Sequence, residues 1–548
     1  MPPHPERSPS DWQFRPLAAA LITAGMLAPA GVAAATLTVD TLAEASGSAC
    51  TLRDAVHSVN ALADQGACAA DLGGGGYGTN DAIVFAPALS GTITFATSDP
   101  LALVGPSALS LQRPVSLIGP GSAQMLLTCG STSYRLMEIA STPPVAVSGL
   151  TIAGCVSSDE GAGMLVTDKF TGNVAPIVQL ADVVVHDNHM VGSSFNVGGG
   201  IAVAPANVGA TLSLTRSSVS LNSSIGNGGG IGIHPAGGAP ATVTVSDSAL
   251  SLNSARNGGG VAVQGVGSSI QLTRSTLDHN AATTDGGGIL AQAGVATVRD
   301  TTISGNQASG RGGGVAVQFS PAGFMAVNST ISNNAANLGG GIDALHTGAG
   351  AIVLRNSTVA ANGALRGSGI MVENALASAL LTPANVVAIN TIVAGNILKS
   401  VAPDVDSLQP DTWDVSFSVV GGIGPAVTLT GSGNLTGLAV PPPFGAGGWL
   451  GPLQNNGGTT MTHELLTSVA DPAINAGDPS FSGLAFDQRG SPFTRVREGR
   501  VDIGAFESGA LTVAAPAPVP GPAGWALGGL SAVLGLAGML FWRRRDGR

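Results

Sequence analysis

The sequence predicts an all-β solenoid, a right-handed parallel β-helix, and three observations support this prediction. Eight seven-residue segments align without gaps, recur about once every thirty residues, and each ends in Asn. Each segment has an aliphatic fourth residue, and most are followed by a glycine triplet and an aliphatic pair. A fixed period of this size is typical of repeats that bury their apolar face only by stacking on their neighbours. The segments are 182–188, 216–222, 247–253, 274–280, 300–306, 328–334, 356–362 and 390–396.

Each repeat is predicted to contain three short strands. The first is the aliphatic pair after the glycines, as in Ile231–Ile233, where apolar and small residues alternate. The second ends just before the segment, for example at Leu212 and Leu214, and the third carries the aliphatic fourth position, Val219. Because the alternating strands show no helical period and no hairpin signal between consecutive strands, we expect parallel stacking. A propeller would need four strands in each blade, for which these repeats are too short.

Three corners are predicted in each repeat, and the glycines are expected to allow positive φ and close approach of stacked backbones. Strict alternation after Leu214 would turn Arg216 inward, although Val219 is the apolar residue, so a corner should fall at the start of the segment. The closing Asn should form another, because Asn tolerates left-handed backbone and hydrogen-bonds locally. Since coils stack about 4.7–4.9 Å apart, the closing residues Asn188 to Asn396 should form a structural ladder.

The first positions of the first five segments alternate in charge. They are Asp182, Arg216, Asp247, Arg274 and Asp300. Opposite charges stacked at this spacing attract each other. We therefore expect a surface salt-bridge ladder in which each exposed pair contributes about 0.2–1 kcal/mol.

Composition limits the class of partner. The chain has 548 residues, of which only 10% are charged and 4% aromatic, and its formal net charge is −11. This charge argues against nucleic acid and anionic membrane surfaces as partners. The length suffices for one large core with additional end pieces.

The N-terminus predicts export. Residues 1–35 combine two arginines, a short apolar core at 17–27 and a small-residue cleavage site at 33–35, which is the pattern of a secretory signal peptide. We expect the mature chain to begin near Thr36. An N-terminal helix is disfavoured because Pro29 and the alanine run would follow it directly.

The cysteines agree with an oxidising compartment. Cys50, Cys68, Cys129 and Cys155 allow three pairings, of which we favour the local one, Cys50–Cys68 with Cys129–Cys155. Metal binding is a poorer alternative, since neither a CxxC pair nor clustered histidines accompany them. We predict no metal site and no cofactor, with Ca²⁺ as an alternative that the sequence does not support.

The C-terminus carries a second membrane signal. Residues 509–522 are rich in Pro and Ala, as in a linker, and 523–548 form a hydrophobic segment. Within it, the 18 apolar residues 525–542 suffice to span a bilayer as a helix. The arginine triplet that follows should stay cytoplasmic.

Residues 519–525 resemble the start of bacterial PEP-CTERM and IPTL-CTERM sorting signals. Gly521 stands where the PEP form has Glu, so the class of signal stays open. The resemblance implies processing by an exosortase-like enzyme, and retention as a plain membrane anchor is the alternative. In either case we expect a protein at the cell surface or outside the cell, anchored at least transiently at its C-terminus.

Motifs at both ends resemble one family of bacterial surface proteins. Residues 50–56, Cys-Thr-Leu-Arg-Asp-Ala-Val, resemble the Cys-Ser-Leu-Arg-Glu-Ala motif that opens many such β-helix proteins, and 80–85 and 91–95 continue the resemblance. Near the other end, the chain resembles the closing module called choice-of-anchor Q. Its matching stretches are 450–459, 472–478, 487–490 and 502–507. The family implies an exported, surface-attached, pectin-lyase-like β-helix of mostly unassigned activity.

Both end modules are expected to cap the solenoid, because an uncapped β-helix exposes strand edges and apolar core. Arg53 and Asp54 should begin a short helix over the first coil, and Arg489 should pair with Asp502 or Glu507. The predicted parts are the signal peptide 1–35, the N-terminal cap and first coils 36–146, the repeats 147–400, irregular final coils 401–447, the C-terminal cap 448–508, the linker 509–522 and the hydrophobic segment 523–548.

Catalysis has requirements that the sequence does not obviously meet. A uronate lyase needs clustered carboxylates for Ca²⁺ and a nearby Arg or Lys base, and a hydrolase needs paired carboxylates. The Asp-Asp, Gly-His-Gly and Arg-x-Lys marks of polygalacturonases are missing. Some side chains could still bind a metal ion or form acid–base pairs, although solvated corners explain them more simply. They are His186, Asp187 and His189; Asp278, His279 and Asp285; and His463.

Two functional hypotheses remain. The first is a non-catalytic surface scaffold for adhesion, a matrix or polysaccharide binding. The second is a polysaccharide lyase or hydrolase with an atypical site. We favour the first and predict no catalytic residue, partly because residues 147–400 contain no Trp or Tyr on which a sugar could stack.

Overall fold

The computed structural model describes residues 34–509, with gaps at 72–75, 79, 131–132, 321–322, 346–351, 374–385, 398–401, 439–443, 445–447, 468–469, 482 and 498. The predicted signal peptide up to residue 33 and the chain after residue 509 lie outside these residues. In the described part of the chain, no helix has the length and hydrophobicity that a membrane span requires.

The described part of the chain winds into coils, and equivalent strands of successive coils pair in parallel to form three long sheets and one shorter sheet. Each coil runs from sheet 1, which follows the glycines, through sheets 2 and 3 to the short sheet 4. Sheets 1 to 3 contain the three predicted strands of each repeat, and the prediction of a right-handed parallel β-helix is confirmed. Sheet 4, which lies between the Asn corner and the glycines, was not predicted.

The strands of sheets 1 and 2 build two long faces of the solenoid. Among the described residues, sheet 1 contains Ser107–Leu111, Arg135–Ile139, Met164–Val166, Ile201–Val203, Ile231–Ile233, Val261–Gln264, Ile289–Gln292, Val315–Gln318, Ile342–Leu345, Ile370–Glu373 and Val405–Ser407. Sheet 2 contains Thr36–Val39, Asp81–Phe85, Val115–Ile118, Val145–Ser148, Ile177–Ala181, Ala210–Thr215, Ala241–Ser246, Ser269–Thr273, Val295–Arg299, Phe324–Val327, Ile352–Arg355, Val386–Ile389, Asp411–Ser416 and Val427–Thr430.

The remaining elements complete the coils and the two ends. Sheet 3 contains Gly91–Phe95, Met125–Cys129, Thr151–Ala153, Val184–His186, Ser218–Ser220, Ala249–Ser251, Thr276–Asp278, Thr302–Ser304, Thr330–Ser332, Thr358–Ala360, Ile392–Val393, Val419–Val420 and Leu435–Thr436. Sheet 4 contains Val156–Ser157, His189–Met190, Ser223–Asn227, Ser254–Asn257, Ala281–Ala282 and Gln307–Ala308. Outside the sheets lie helix Leu52–Ala61 and the antiparallel pairs Leu450–Gln454 with Thr462–Leu465 and Val496–Arg497 with Arg500–Val501.

The apolar columns of the sequence fill one continuous core. Val219 pairs in register with Leu250, and Leu250 with Leu277, so the fourth positions of the segments stack directly on each other. All three side chains are fully buried. At roughly 1.5–3 kcal/mol for each buried aliphatic side chain, this stacking is the main driving force for winding the coils.

The predicted corner at the start of the segment is confirmed. The first residue of every segment has a left-handed backbone, with φ between 46° and 56°. Three of the eight are Asp and three are Asn, which tolerate this conformation well because their short side chains hydrogen-bond locally.

The closing asparagines form the predicted ladder in the interior. Each side-chain Nδ2 donates to Oδ1 of the equivalent Asn in the next coil at 2.8–3.0 Å, from Asn188 to Asn396. Every Asn in the ladder is at most 1% exposed. Asn396 donates in turn to Oδ1 of Asp404 at 2.8 Å, so a carboxylate ends the column.

The left-handed residue of this second corner is the one before the Asn, which corrects the prediction. Leu221, Leu252 and His279 have φ of 58°, 57° and 52° there. The Asn side chain is thereby turned inward, where it satisfies backbone groups that the bend leaves unpaired. Asn222, for example, donates to the carbonyl of Val185 at 2.9 Å.

The glycine triplets are required by close backbone stacking, as predicted. A methyl group on Gly229 would lie 2.4 Å from the carbonyl oxygen of Ser254 and 2.5 Å from that of Gly259. Both distances are shorter than any normal contact. The triplet therefore allows the turn between sheets 4 and 1 to stack at the same spacing as the strands.

The alternating charges form two separate ion pairs and no continuous ladder among the described residues. Arg216 pairs with Asp182, and Arg274 pairs with Asp247, each through two hydrogen bonds of 2.7–2.9 Å. Asp300 instead accepts from Asn328 Nδ2 at 2.5 Å. The reason is geometric, because each guanidinium uses its fork on one carboxylate of the preceding coil.

The N-terminal end is closed by a helix and two disulfides. Helix Leu52–Ala61 begins at Thr51, whose hydroxyl accepts from the Asp54 amide at 3.1 Å, and its apolar face joins the main core. This confirms the predicted short helix over the first coils. The favoured pairing, Cys50–Cys68 with Cys129–Cys155, is also confirmed.

The C-terminal module 448–508 packs along the side of the solenoid, and the prediction of an end cap therefore needs correction. Its Gln488 bonds Thr302 and Thr330, and its Ala505 amide donates to Thr358 at 3.0 Å, so it follows the outer face of sheet 3 across successive coils. A second apolar core, which includes Trp449, Leu450, Ile503, Phe506, Ile392 and Val419, seals the contact. These three threonines are the first residues of their sheet 3 strands, and their hydroxyls bond the module.

Charged side chains are buried inside this module. Arg489 pairs with Asp487 at 2.5 Å and lies between the rings of Phe493 and Phe506, at 4.0 and 3.7 Å from their centroids. The predicted side-chain partners, Asp502 and Glu507, are therefore wrong, although Arg489 does donate to the Glu507 carbonyl. Asp487, two residues away, also accepts a hydrogen bond from the Arg489 backbone amide at 2.9 Å, which holds its carboxylate beside the guanidinium.

We expect the module to lose stability as pH rises from about 5 to 8. Burial, with a contribution from Asp502, raises the pKa of Glu507 from 4.5 to about 8. Between these two values the unfolded chain gives up a proton that the folded module retains, so rising pH favours unfolding. Glu507→Gln should flatten the slope of melting temperature against pH, whereas the control Glu464→Gln should leave it unchanged. An unaltered slope in Glu507→Gln would refute this assignment.

Candidate functional site

The first predicted cluster separates into two unconnected contacts. His186 Nδ1 lies 2.6 Å from Oδ2 of Asp187, at a partly exposed corner. His189 lies beyond the Asn corner, and its Nδ1 is 2.7 Å from the Ser223 hydroxyl. The two imidazoles thus contact different groups on different sheets.

The second predicted cluster also divides. His279 Nδ1 lies 2.6 Å from Asp278 Oδ2, and Ser304 donates to Asp278 Oδ1 at 2.8 Å. Asp285 lies elsewhere, at the glycine corner. The lone His463 is buried between the module and the solenoid, where its Nε2 meets the Ser332 hydroxyl at 2.8 Å. Burial lowers the pKa of His463 to about 4, so this imidazole is neutral and serves the contact.

A third group of polar side chains converges on the outer face of sheet 1. Gln264, Gln292 and Gln318 occupy equivalent outward positions in three successive coils. Glu373 occupies this position two coils further on, and charged residues lie beside it. We call this set the sheet 1 strip. It comprises His234, Gln264, Asp285, Gln292, Arg311, Gln318, Asp343, Arg366, Glu373 and Asp406.

Ion pairs and hydrogen bonds connect the charged end of the strip. Arg311 reaches across the coil of Asp343 to Glu373, with Nε at 2.6 Å from Oε1 and Nη2 at 3.3 Å from Oε2. Asp285 accepts from Gln318 Nε2 at 2.8 Å and from the Arg311 amide at 2.9 Å. One network of hydrogen bonds and ion pairs therefore connects Asp285 to Glu373, which lie in different coils.

Asp343 lies beneath this network and is fully buried. Burial, followed by the neighbouring carboxyl of Glu373, raises the pKa of Asp343 well above its ordinary value, against a smaller opposing effect of Arg311. Among the described residues, no donor in hydrogen-bonding geometry reaches either of its oxygens. A second carboxyl beside a buried one adds to the cost of ionisation, so the site disfavours a negative charge on Asp343.

Two further atoms of the strip lack partners within the described chain. They are Nδ1 of His234 and Oε1 of Gln264, both shielded from solvent. The amide of Gln264 does use its Nε2, which donates to Gln292 Oε1 at 2.8 Å. Orphaned buried polar atoms are costly, at about 1–3 kcal/mol each, so three such side chains on one strip point to a ligand.

Sequence reasoning missed the strip because its members are separated by whole repeats. A signal was present, however. The second residue after the glycine triplet is Ala202, Ala262 or Ala316 in other coils, but Asp343 in one. Arg311 comes directly before the glycine triplet 312–314, so its side chain lies close to the sheet 1 strand that follows the triplet. No group of three or more His, Cys, Asp or Glu side chains in the described ranges converges closely enough to hold a metal ion.

Comparisons with known proteins find similar folds only. No protein-family model and no curated protein matches the sequence. Pectate lyase Pel9A is 12% identical, with coverage of 87% of this chain and 97% of that chain and a TM-score of 0.43. The A-module of the Azotobacter vinelandii mannuronan C-5 epimerase AlgE6 is 14% identical, with 65% and 91% covered and a TM-score of 0.35.

A third solved structure is a mannuronic acid specific polysaccharide family 6 lyase from human gut microbiota. It is 12% identical, with 72% of this chain and 82% of that chain covered and a TM-score of 0.28. At such identities the likeness concerns the winding of the chain and carries no information on activity.

Proposed function

We propose that this protein is an exported, surface-anchored β-helix scaffold that binds an extended polysaccharide along the sheet 1 strip without cleaving it. The observation that carries the proposal is the row of orphaned polar atoms on His234, Gln264 and Asp343. Their coils are four steps apart, or about 19 Å at roughly 4.8 Å per coil. This length suits a linear polymer whose hydroxyls bond several coils at once.

Binding without turnover is supported by the state of the carboxyls. Asp343 is fully buried, and Glu373, the side chain of which is 5% exposed, is held by Arg311. Neither is free to approach a glycosidic bond in the way that a hydrolase or lyase requires. The exposed pairs at His186 and His279 lie on sheet 3, away from the strip.

Export is supported by the two disulfides, since such bonds persist in oxidising compartments. The predicted signal peptide, the C-terminal hydrophobic segment and the exosortase-like processing enzyme complete the proposal. We also propose, from its sequence motifs, that the chain is a member of the surface family that carries the choice-of-anchor Q module. The test of export is fractionation of an expressing bacterium, with surface protease treatment of the intact cells.

The binding test uses a glycan array probed with the full chain, purified after export in a bacterial host. We expect binding of one polysaccharide class, weakened about tenfold by Gln264→Ala combined with Gln292→Ala, because amide bonds to sugar hydroxyls are lost. Gln271→Ala, on the exposed outer face of sheet 2, is the matched control and should bind normally.

Three outcomes count against the proposal. Absence of binding to every polysaccharide would remove it, and so would equal weakening by the Gln271 control. Time-dependent shortening of a bound polysaccharide, abolished by Glu373→Gln, would favour the alternative of an atypical lyase or hydrolase.

A further inference from the structure

The charged end of the strip has fewer cations than anions. Asp285, Asp343, Glu373 and Asp406 supply four carboxyls, each at most 8% exposed, whereas Arg311 and Arg366 supply two guanidinium groups. With all six groups ionised, the local charge is −2. The excess negative charge is carried by buried carboxyls, and a buried carboxyl is costly to ionise without a counter-charge.

Both guanidinium groups are already committed. Arg311 pairs with Glu373, and Arg366 pairs with Asp406 at 2.8 Å. Asp285 receives only the neutral donors of Gln318 and a backbone amide. Among the described residues, Asp343 therefore has no cation of its own, and both of its oxygens lack a donor.

The approach to Asp343 is through Arg311. The Arg311 guanidinium belongs to a side chain that is 32% exposed, and it crosses the coil of Asp343 on its way to Glu373. A cationic ligand group that takes its place at Glu373 also comes within reach of Asp343. An ammonium group fits this position, because it brings one positive charge and three donors on a single small atom.

We propose that this end of the strip selects a polysaccharide that carries free primary amines, a polymer of amino sugars. The inference rests on the proposed glycan-binding function and names its ligand class. A uronate polymer would bring further negative charge to a site that already has an excess, on a chain with net charge −11. A neutral polymer would provide donors but leave the charge deficit unchanged.

Ligand binding should also release a proton. The groups that face Asp343 are Glu373, Arg311 and Asp285. Burial and the Glu373 carboxyl raise the pKa of Asp343, which favours its protonated form in the free protein. A bound ammonium group favours the ionised carboxylate, so a proton leaves Asp343 for the solvent as the complex forms. A merely structural cluster would show no such release.

The test compares three hexasaccharides by titration calorimetry at pH 6 on the full chain: β-1,4-linked glucosamine, its fully N-acetylated form and galacturonate. We expect the amine form to bind at least about tenfold more tightly than the acetylated form. Repetition in buffers of different ionisation enthalpy should show proton release for the amine form only. Asp343→Asn should abolish both the preference and the release, while the exposed Asp414→Asn on sheet 2 retains both.

The outcomes separate the two proposals. Equal affinity for the amine and acetylated forms overturns the inference and leaves glycan binding intact. Tighter binding of galacturonate, or the same loss in Asp414→Asn, overturns it as well. Binding of none of the three overturns both proposals. If Asp343→Asn does not fold, Glu373→Gln takes its place, with the same loss of amine preference expected.

Discussion

Replacing Asn306 with alanine should lower the free energy of unfolding by about 2–6 kcal/mol. Oδ1 of Asn306 accepts from both the amide and Nδ2 of Asn280, each at 2.9 Å. Alanine leaves these two buried donors without a partner, and each orphaned donor costs roughly 1–3 kcal/mol. Its own Nδ2 also ceases to hold Asn334 and the carbonyl of Leu277.

Urea unfolding is the appropriate measurement, since the midpoint shift reports the loss directly. Asn337→Ala is the matched control, because that Asn is exposed and makes one bond with its side chain, to Ser309. We expect a change within about 0.5 kcal/mol there. Equal effects of the two substitutions would mean that the ladder does not stabilise the stack.

Replacing Arg311 with alanine should cost about 3 kcal/mol, because it leaves a buried carboxylate without its counter-charge. Glu373 would then lie beside Asp343 without the guanidinium that pairs with it. The value is at the low end of the 3–5 kcal/mol expected for a broken buried pair, since the guanidinium is 32% exposed.

Arg274→Ala is the control for this prediction. Arg274 also binds a carboxylate through two hydrogen bonds, to Asp247, but on the exposed surface. Exposed pairs contribute about 0–1 kcal/mol and weaken with salt, so its loss should be small and should vanish at high ionic strength. If the two variants lose the same amount of stability, burial of the sheet 1 network has no energetic consequence.

Much of the coil could be predicted because each feature is repeated. Eight aligned segments reveal which column is apolar, and the break in alternation before Val219 locates a corner that the left-handed Arg216 confirms. The Asn ladder follows from spacing alone. Because the same pattern occurs in eight segments, the stacking of the coils could be predicted more firmly than the bounds of any single strand.

Other features have weaker signals in the sequence. Strands of sheet 4 such as Ala281–Ala282 are too short to show alternation. The left-handed residue is Leu221 and not the predicted Asn222, because the Asn222 side chain points inward and bonds the backbone there. The alternating charges at the first positions of the segments form separate pairs, because each arginine directs both of its hydrogen bonds to one aspartate.

The site and the C-terminal module show where sequence reasoning ends. Arg311 and Glu373 lie in different repeats, and only the winding of the chain brings them together. Motifs in the module predict a closing element, but its place depends on a second apolar core that includes Ile392 and Phe506. Such long-range packing has no local pattern. The sheet 1 strip therefore could not be predicted without knowing how the coils stack.

A cysteine cross-link between sheet 3 and the module tests the architecture most directly. Thr358→Cys with Ala505→Cys should form a disulfide, because the Ala505 amide lies 3.0 Å from the Thr358 hydroxyl. Thr276→Cys with Ala505→Cys should not, since Thr276 lies three coils away, about 14 Å along the axis. Mass spectrometry of unreduced peptides that finds the first link without the second supports a parallel β-helix with a side-docked module. A link through position 276, or none through 358, would contradict it.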